Sequence, residues 1–340
     1  MAKTALVVSG GGSKGAFAVG AIQYMIERHL EFDIVSGTST GAVIATLLIA
    51  GELALLNEIY SNITTKEVLK RNSLWAIASR KVQSWYSTRP LEDLIERRLT
   101  QEMANKVLGS RKRMFLTTVC LQTGAIVYFQ TGRESGQSHE PTSKVVRIED
   151  RAHLVRAILA STNQPVLMPS VEVEAGAVAE YVDGGVREYA PIQIVVDNGA
   201  TDIYAVVLSP KPTARTPKEG KFRKIEKILL RTIDLLSEEV GENDLRIRQR
   251  DNQFLGFLKM LKERMLQLGE LSPKEVNGLF KDPRNPVRGM RPVTLHLSRP
   301  LTELPTDGLE FDPTIMRKMM KMGRQEAERV LGPAVTPPSP

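Results

Sequence analysis

A serine lies between two glycines in residues 37–41, which read Gly-Thr-Ser-Thr-Gly. A serine hydroxyl becomes an effective nucleophile only when a base takes its proton and a sharp turn holds it exposed. Gly37 and Gly41 stand at the two positions where such a turn between a strand and a helix is most crowded. The apolar run 32–35 before the motif and the apolar segment 42–50 after it predict that strand and helix. We therefore expect Ser39 to be a nucleophile near the amino end of a helix, where the helix dipole favours developing negative charge.

A second glycine-rich turn precedes the serine by roughly 25 residues and reads Ser-Gly-Gly-Gly-Ser-Lys-Gly at residues 9–15. Consecutive glycines allow several backbone N–H groups to converge on one point. We expect the amides of Gly10, Gly11 and Gly12 to form the oxyanion hole of an acyl-transfer site. Lys14 is either a fixed cation at this site or an ordinary solvated lysine.

The same turn invites a competing hypothesis, because Gly10, Gly12 and Gly15 match the Gly-x-Gly-x-x-Gly spacing of a dinucleotide-binding loop. Such a site requires an acidic residue about 20 residues further on, at the end of the second strand. Asp33 has about this distance but precedes the second apolar run, and residues 36–39 occupy the expected place. The sequence therefore argues against a nucleotide, and we expect no cofactor.

The base that would activate the serine has two candidates. In the α/β-hydrolase order of serine, acid and histidine, only His296 follows Asp183, but it lies inside a predicted strand rather than in a loop. Asp183 itself follows the apolar run 179–182 and precedes Gly184 and Gly185, which permit close approach. An aspartate at a strand end can contact a serine directly and act as its base, although its ordinary pKa of about 3.9 makes it weakly basic. An Asp-Gly turn without a catalytic role is the alternative.

The three elements, in this order, resemble the patatin-like phospholipase family. The resemblance covers about residues 5–210 and includes the sequence around Ser161, before the Asp-Gly-Gly. The later Phe-Asp-Pro at residues 311–313, which leads into a closing helix, is similar to bacterial members. Residues 211–290 match no part of the family pattern.

The resemblance implies a Ser-Asp dyad without histidine, with Ser39 as nucleophile and Asp183 as base. It implies that the glycine loop supplies the oxyanion N–H groups, and that acyl esters of phospholipids are hydrolysed without a metal, as by a phospholipase A or lysophospholipase. Plant members have an acidic residue before the glycines and an arginine after them, where this chain has Ser9 and Lys14, as bacterial relatives also do. A lipid-binding or regulatory protein without turnover, or an acyltransferase, remains an alternative.

The charge of the chain is uneven. The net charge is +7, and residues 211–299 contain 20 Lys and Arg against 12 Asp and Glu. A basic region can contact anionic membrane, although a solvated helical surface has the same composition. We expect a lipid substrate, peripheral contact with anionic membrane as a hypothesis, and no nucleic acid.

The chain has one cysteine, Cys120, which excludes an internal disulfide and suits a reducing compartment. The apolar run at the amino terminus is too short for a secretory signal, and residues 42–50 are too short for a membrane span. We therefore expect a cytoplasmic protein.

The predicted fold is α/β, with three layers and a mostly parallel central sheet flanked by helices. Strands are expected at 4–8, 32–35, 114–120, 125–130, 203–208 and 293–297, and 171–173 and 178–182 are expected to form a further hairpin. Long helical periodicity covers 224–257, and a closing helix covers 313–331. We expect one domain over 1–332, with its core at about 1–210 and 291–332, a helical insertion at about 211–290, and a disordered tail at 333–340.

Overall fold

The computed structural model describes residues 3–79, 82–174, 176–214, 223, 225–285 and 287–333. Part of the predicted insertion (215–222, 224 and 286) and nearly all of the predicted tail (334–340) lie outside these residues. The described residues form ten strands: β1 (Lys3–Val8), β2 (Ile34–Thr38), β3 (Lys70–Arg71), β4 (Tyr86–Ser87), β5 (Arg113–Cys120), β6 (Ile126–Thr131), β7 (Ser143–Arg147), β8 (Tyr181–Asp183), β9 (Ala200–Val206) and β10 (Thr294–Ser298).

The same residues form twelve α-helices: α1 (Gly15–Glu27), α2 (Thr40–Ile49), α3 (Leu53–Asn62), α4 (Thr65–Val68), α5 (Leu74–Ala78), α6 (Arg89–Arg98), α7 (Gln101–Leu108), α8 (Arg151–Thr162), α9 (Ile192–Asp197), α10 (Ile225–Leu268), α11 (Pro273–Lys281) and α12 (Pro313–Leu331). One short 3₁₀ helix, Gly12–Lys14, lies within the glycine-rich turn at residues 9–15, and another, Gly184–Val186, begins directly after Asp183. Among the described helices, none is both long enough and apolar enough to cross a membrane.

The main sheet has the strand order β10-β9-β1-β2-β5-β6-β7, and β8 also pairs with β5. Five of its strand pairs are parallel, whereas β6 and β8 run antiparallel to β5. The carboxyl ends of β1 and β2 therefore lie side by side, and the glycine turn and the serine motif follow directly from them. This is the edge at which α/β sheets bind ligands.

Alternate residues of each central strand enter different hydrophobic layers, as expected for a strand buried on both faces. Leu6 and Val8 of β1 pack with α1, α2, α8 and α12 on one face. Ala5 and Val7 pack with α9 and with Leu245 of α10 on the other. The predicted three-layer α/β fold with a mostly parallel sheet is confirmed.

The helices α1 and α12 approach closely across one outer layer. A Cβ atom at Gly20 would lie 1.9 Å from the Met320 carbonyl oxygen, and one at Gly323 would lie 1.8 Å from the Phe17 carbonyl oxygen. Glycine is therefore required at both positions for the backbones to meet. The contact fixes the amino-terminal helix that follows the glycine loop.

Most predicted elements are present with bounds shifted by a few residues, and the late strand joins the main sheet beside β9. Three predictions need correction. The strand at 178–182 is reduced to β8, and Val171 forms only an isolated bridge with Tyr181. The helix expected to end at 257 continues to Leu268, and β7 was not expected. The division into one domain with a helical insertion stays a prediction, and we retain it as a proposal.

Candidate active site

Ser39 occupies a strained turn between β2 and α2. Its backbone has φ 59° and ψ −124°, a combination that non-glycine residues rarely adopt. A Cβ at Gly37 would lie 2.2 Å from the Gly41 carbonyl oxygen, and a Cβ at Gly41 would lie 2.3 Å from the Val8 carbonyl oxygen. Both positions therefore need glycine, because the elbow folds tightly on itself and against β1. The predicted strand–turn–helix context of the serine is present.

The pairing of β5 brings Asp183 to Ser39. One edge of β5 is occupied by β6, so β2 and β8 share the other edge. Thr38, the last residue of β2, is opposite Thr117, and Asp183, the last residue of β8, is opposite Thr118. Because β8 runs antiparallel, the two strands end against each other. The serine that follows β2 and the aspartate that ends β8 therefore meet, although 144 residues separate them in the sequence.

The Asp183 carboxylate is buried beside the serine, and only 4% of the residue is exposed. Its Oδ1 accepts the Gly185 N–H at 2.8 Å. Burial raises the pKa of Asp183 to about 6, while the hydrogen bond from Gly185 and the neighbouring Ser39 hydroxyl hold it below what burial alone would give. Within the described residues, Oδ2 has no partner with ordinary hydrogen-bond geometry. Loose geometry of this kind is common in sites without substrate.

The backbone at this junction is held by Ser161, in the last turn of α8, and by Asn163, directly after that helix. The Ser39 N–H donates to Ser161 Oγ at 3.0 Å, and the Ser161 hydroxyl donates to the Thr117 carbonyl oxygen at 2.8 Å. The Asp183 N–H donates to the Asn163 carbonyl oxygen at 2.9 Å. Sequence reasoning gave neither residue a role. Only their place between the serine motif and the Asp-Gly-Gly, noted in the family resemblance, pointed to this segment.

The glycine loop faces the elbow, but its three amides are not equivalent. The Gly10 N–H donates to the Tyr189 carbonyl oxygen at 3.2 Å, so the prediction that it serves an oxyanion needs correction. Among the described residues, no hydrogen bond occupies the N–H of Gly11 or Gly12. These two residues have φ 151° and 55°. The free donors are therefore the second and third glycines, and Tyr189 is a site residue that no sequence signal indicated.

A segment after β10 lies across the same loop. The Ser13 N–H donates to the Gly308 carbonyl oxygen at 2.8 Å. A Cβ at Gly12 would lie 2.0 Å from that oxygen, so only glycine permits the contact. Asp307, Gly308 and Leu309 consequently form part of the cleft wall.

The other predicted site residues also lie at this junction. Lys14 is buried and lines the cleft. A Cβ at Gly15 would lie 2.4 Å from Thr40 Oγ1, and a Cβ at Gly184 would lie 2.6 Å from the Thr117 carbonyl oxygen. Both glycines therefore act by permitting close packing around the serine.

The cleft that contains Ser39 and Asp183 has an empty volume of about 1520 Å³, including the part open to solvent. Its walls are mostly apolar and come from α2, α3, α4, α6, α8 and the first half of α10. On α6, Leu91, Leu94 and Ile95 line it at helical spacing. Thr88, directly before α6, accepts a hydrogen bond from Asn163 at 3.2 Å, so this helix begins near the dyad and runs away from it. Such a channel suits an extended hydrocarbon chain.

The geometry supports neither a histidine base nor a dinucleotide-binding site. His296 Nε2 lies 2.9 Å from Asp202 Oδ1, and its ring stacks on Tyr204. None of the four histidines lines the cleft, and all four are described. Asp33 Oδ2 accepts the Thr4 N–H at 2.9 Å at the amino ends of the strands, opposite the edge where a ribose would bind.

A family model described as Patatin-like phospholipase matches residues 6–196. The chain belongs to the patatin-like phospholipase family. This confirms the resemblance seen in the glycine turn, the serine motif and the Asp-Gly-Gly, and it makes the chain a member of a family of lipid acyl hydrolases. The matched residues include both proposed dyad members and end before α10.

Two further comparisons found chains that are similar over most of their length. The uncharacterized protein YqhO of Bacillus subtilis (strain 168) is 23% identical over 230 residues, which cover 62% of this chain and 73% of YqhO. The crystal structure of VipD from Legionella pneumophila aligns with a TM-score of 0.45 and 14% identity, over 97% of this chain and 67% of VipD.

Proposed function

We propose that this chain is a lipid acyl hydrolase of the phospholipase A or lysophospholipase type, with Ser39 as nucleophile and Asp183 as base. The observation that carries the proposal is the meeting of β2 and β8 on one edge of β5, which brings a strained serine against a buried aspartate. The family gives the class of reaction, and this junction supports the assignment of the residues.

Acylation begins when Asp183 takes the proton of the Ser39 hydroxyl and the oxygen attacks the ester carbonyl carbon. The N–H groups of Gly11 and Gly12 stabilise the negative oxygen that forms, and one such donor is typically worth about 3–4 kcal/mol of barrier. When the tetrahedral intermediate collapses, the bond to the alcohol breaks and Asp183 returns the proton to that alcohol.

Deacylation uses the same groups with water in place of the alcohol. Asp183 takes a proton from water, the hydroxide attacks the acyl-serine, and the fatty acid leaves as the Ser39 oxygen regains a proton. A carboxylate with a pKa of about 6 is ionised at neutral pH and more basic than an ordinary aspartate. Burial thus supplies the basicity that histidine provides in a triad.

The acyl chain is proposed to lie along the apolar cleft, with its carbonyl at Ser39. Leu91, Leu94 and Ile95 of α6 would contact it progressively further from the ester. Burial of each methylene is worth about 0.8 kcal/mol, so the channel favours substrates with long chains.

Hydrolysis of a phospholipid and of a soluble p-nitrophenyl ester by the purified full-length chain tests this proposal. Ser39→Ala and Asp183→Asn are each expected to lower kcat at least about 1000-fold, with circular dichroism spectra and unfolding transitions that show a folded protein. The control variant His296→Ala is expected to keep its activity. Full activity of either dyad variant would refute the dyad, and loss of activity in His296→Ala would favour a triad.

Product analysis distinguishes the alternatives. A lipid-binding protein without turnover would retain lipid and release no fatty acid. An acyltransferase would form a new ester when an alcohol acceptor is present, and would do so faster than it releases fatty acid.

A further inference from the structure

The second half of α10 has a row of residues on the face that points away from the sheet. The row follows steps of three and four residues, which place its members on one side of a helix. We call it the outer stripe, and it consists of Ile247, Arg250, Phe254, Phe257, Leu261, Arg264 and Leu268. Its five apolar members are between 39% and 56% exposed. Exposure of this many large apolar side chains in one row indicates a binding surface.

The inner face of the same helix is anchored to the body of the protein. Leu245 and Arg248 are buried. The Asn252 side chain donates to the Val293 carbonyl oxygen at 2.7 Å and accepts the Val293 N–H at 2.9 Å. These contacts fix the rotation of α10, so the outer stripe faces outward.

Beyond Asn252, α10 pairs with α11, and this contact also leaves the stripe uncovered. The Lys262 ammonium lies 5.6 Å from the centre of the Phe280 ring, and Val276 of α11 is buried. Lys262 is not a member of the outer stripe. The pairing with α11 therefore supports the helix from another side.

The charges of the stripe favour an anionic partner. Both charged members are arginines, and residues 246–268 together contain six Lys and Arg against two Asp and Glu. An apolar row with interspersed arginines is typical of a helix that lies in the interface of an anionic membrane. Phe and Leu enter the boundary of the acyl chains, while the long arginine side chains reach back to the phosphates.

A second copy of this chain fits the same surface less well. Pairing two outer stripes would remove arginines of both helices from water, against each other or against apolar side chains, and would supply no carboxylate. A membrane neutralises the same arginines with its own phosphates.

We propose that the outer stripe of α10 docks on an anionic lipid surface. The first half of the same helix contributes Leu230 and Ile233 to the cleft wall, so the docked helix is continuous with one wall of the cleft. The link to substrate rests on the proposed function, whereas docking itself needs no turnover. Because α10 lies outside the matched residues 6–196, this surface is a feature of the chain beyond its family region.

Co-sedimentation of the full-length protein with vesicles tests the docking. One set of vesicles is pure phosphatidylcholine, and the other contains about one third phosphatidylglycerol. Two variants alter the stripe, Phe254→Ser with Phe257→Ser and Arg250→Glu with Arg264→Glu. The matched control is Arg111→Glu with Lys112→Glu, which makes the same charge change in an exposed turn at the amino end of β5.

The wild type is expected to bind the anionic vesicles at least about tenfold more tightly than the neutral ones, since each basic residue near such a surface contributes to affinity. Each stripe variant should lose at least about tenfold in binding, and the control variant should lose less than about threefold. Hydrolysis of a soluble butyrate ester is expected to be unchanged in all variants. If the wild type does not hydrolyse this ester, the result would count against the hydrolase proposal. The vesicle experiment would still test the docking proposal by itself.

Three results would overturn the docking proposal. In the first, either stripe variant binds anionic vesicles as tightly as the wild type does. In the second, the control variant loses as much affinity for these vesicles as the stripe variants lose. In the third, light scattering shows that the wild type is a dimer and does not bind vesicles, and that the stripe variants are monomers. The stripe would then bind a second copy of the chain rather than a membrane.

Discussion

Replacing the proposed base is expected to stabilise the folded protein, and Asp183→Asn tests this. Burial raises the pKa of Asp183 from 3.8 to about 6. The folded protein therefore holds the proton more tightly than the unfolded chain, and it loses stability as the pH rises from 3.8 towards 6. With about 1.4 kcal/mol for each tenfold change in proton affinity, the titration of Asp183 lowers the free energy of unfolding by about 3 kcal/mol at pH 7.5, where the folded carboxyl is ionised. At pH 4.5 the folded carboxyl keeps its proton while most unfolded chains have lost theirs, and the free energy of unfolding is lower by about 1 kcal/mol.

Asparagine does not titrate, and it keeps the shape of the side chain. Its oxygen can accept the Gly185 N–H as Asp183 Oδ1 does. The free energy of unfolding of the variant is therefore expected to exceed that of the wild type by about 3 kcal/mol at pH 7.5 and by about 1 kcal/mol at pH 4.5. The same protein should be inactive, so stability and activity would change in opposite directions.

Urea unfolding followed by circular dichroism at the two pH values measures this difference. Asp93→Asn, which removes an exposed carboxylate of α6, is the control and should change the free energy by less than about 0.5 kcal/mol. A destabilised Asp183→Asn at pH 7.5, or a gain of equal size at both pH values, would refute the claim that Asp183 is held ionised at an energetic cost.

Three further predictions concern the cleft. The kcat/KM for a soluble ester should fall about tenfold per pH unit below about pH 6, because Asp183 must be ionised; a flat profile from pH 5 to 8 would contradict its role as base. Gly12→Ala should lower activity at least about 100-fold, since its Cβ would lie 2.0 Å from the Gly308 carbonyl oxygen. The control Gly124→Ala, also at a positive φ but with nothing within 4 Å of its Cβ, should keep its activity and lose only about 1 kcal/mol of stability. Similar losses of activity in the two variants would count against a specific contact at Gly12. Leu94→Trp should lower kcat/KM for a dodecanoyl ester at least about tenfold and leave kcat/KM for a butyryl ester nearly unchanged. The control Arg97→Trp, on the exposed side of α6, should change neither value. Equal losses for the two esters in Leu94→Trp would show that the acyl chain does not lie along α6.

The serine elbow could be predicted from sequence because its determinants are local. Gly37, Ser39 and Gly41 lie within five residues, and the apolar runs on either side specify the strand and the helix. Asp183 could be named from its strand end and glycines. The reason that it meets Ser39, however, is the antiparallel pairing of β8 with the part of the β5 edge that β2 does not cover. That pairing depends on which strand fills which edge, and no local pattern encodes it.

The same limit explains what the sequence did not predict. The three loop glycines look alike in sequence, and only the tertiary contact with Tyr189 distinguishes Gly10 from the other two. The strand β7 has only two apolar residues, Val145 and Val146, between polar and charged ones at the sheet edge, so it lacks the apolar run of a central strand. The helix α10 continues past Gly256, which lies on its exposed surface, where an added Cβ would meet none of the described residues within 4 Å. A glycine there weakens a helix without ending it.

The nucleophilic serine is the central claim, and a fluorophosphonate probe tests it most directly. Mass spectrometry of the digested, full-length protein should find one phosphonyl group on the peptide that contains Ser39, with labelling at least about 100-fold slower in Asp183→Asn and unchanged in His296→Ala. A wild-type protein that forms no adduct, or that forms it on a different serine, would contradict the dyad.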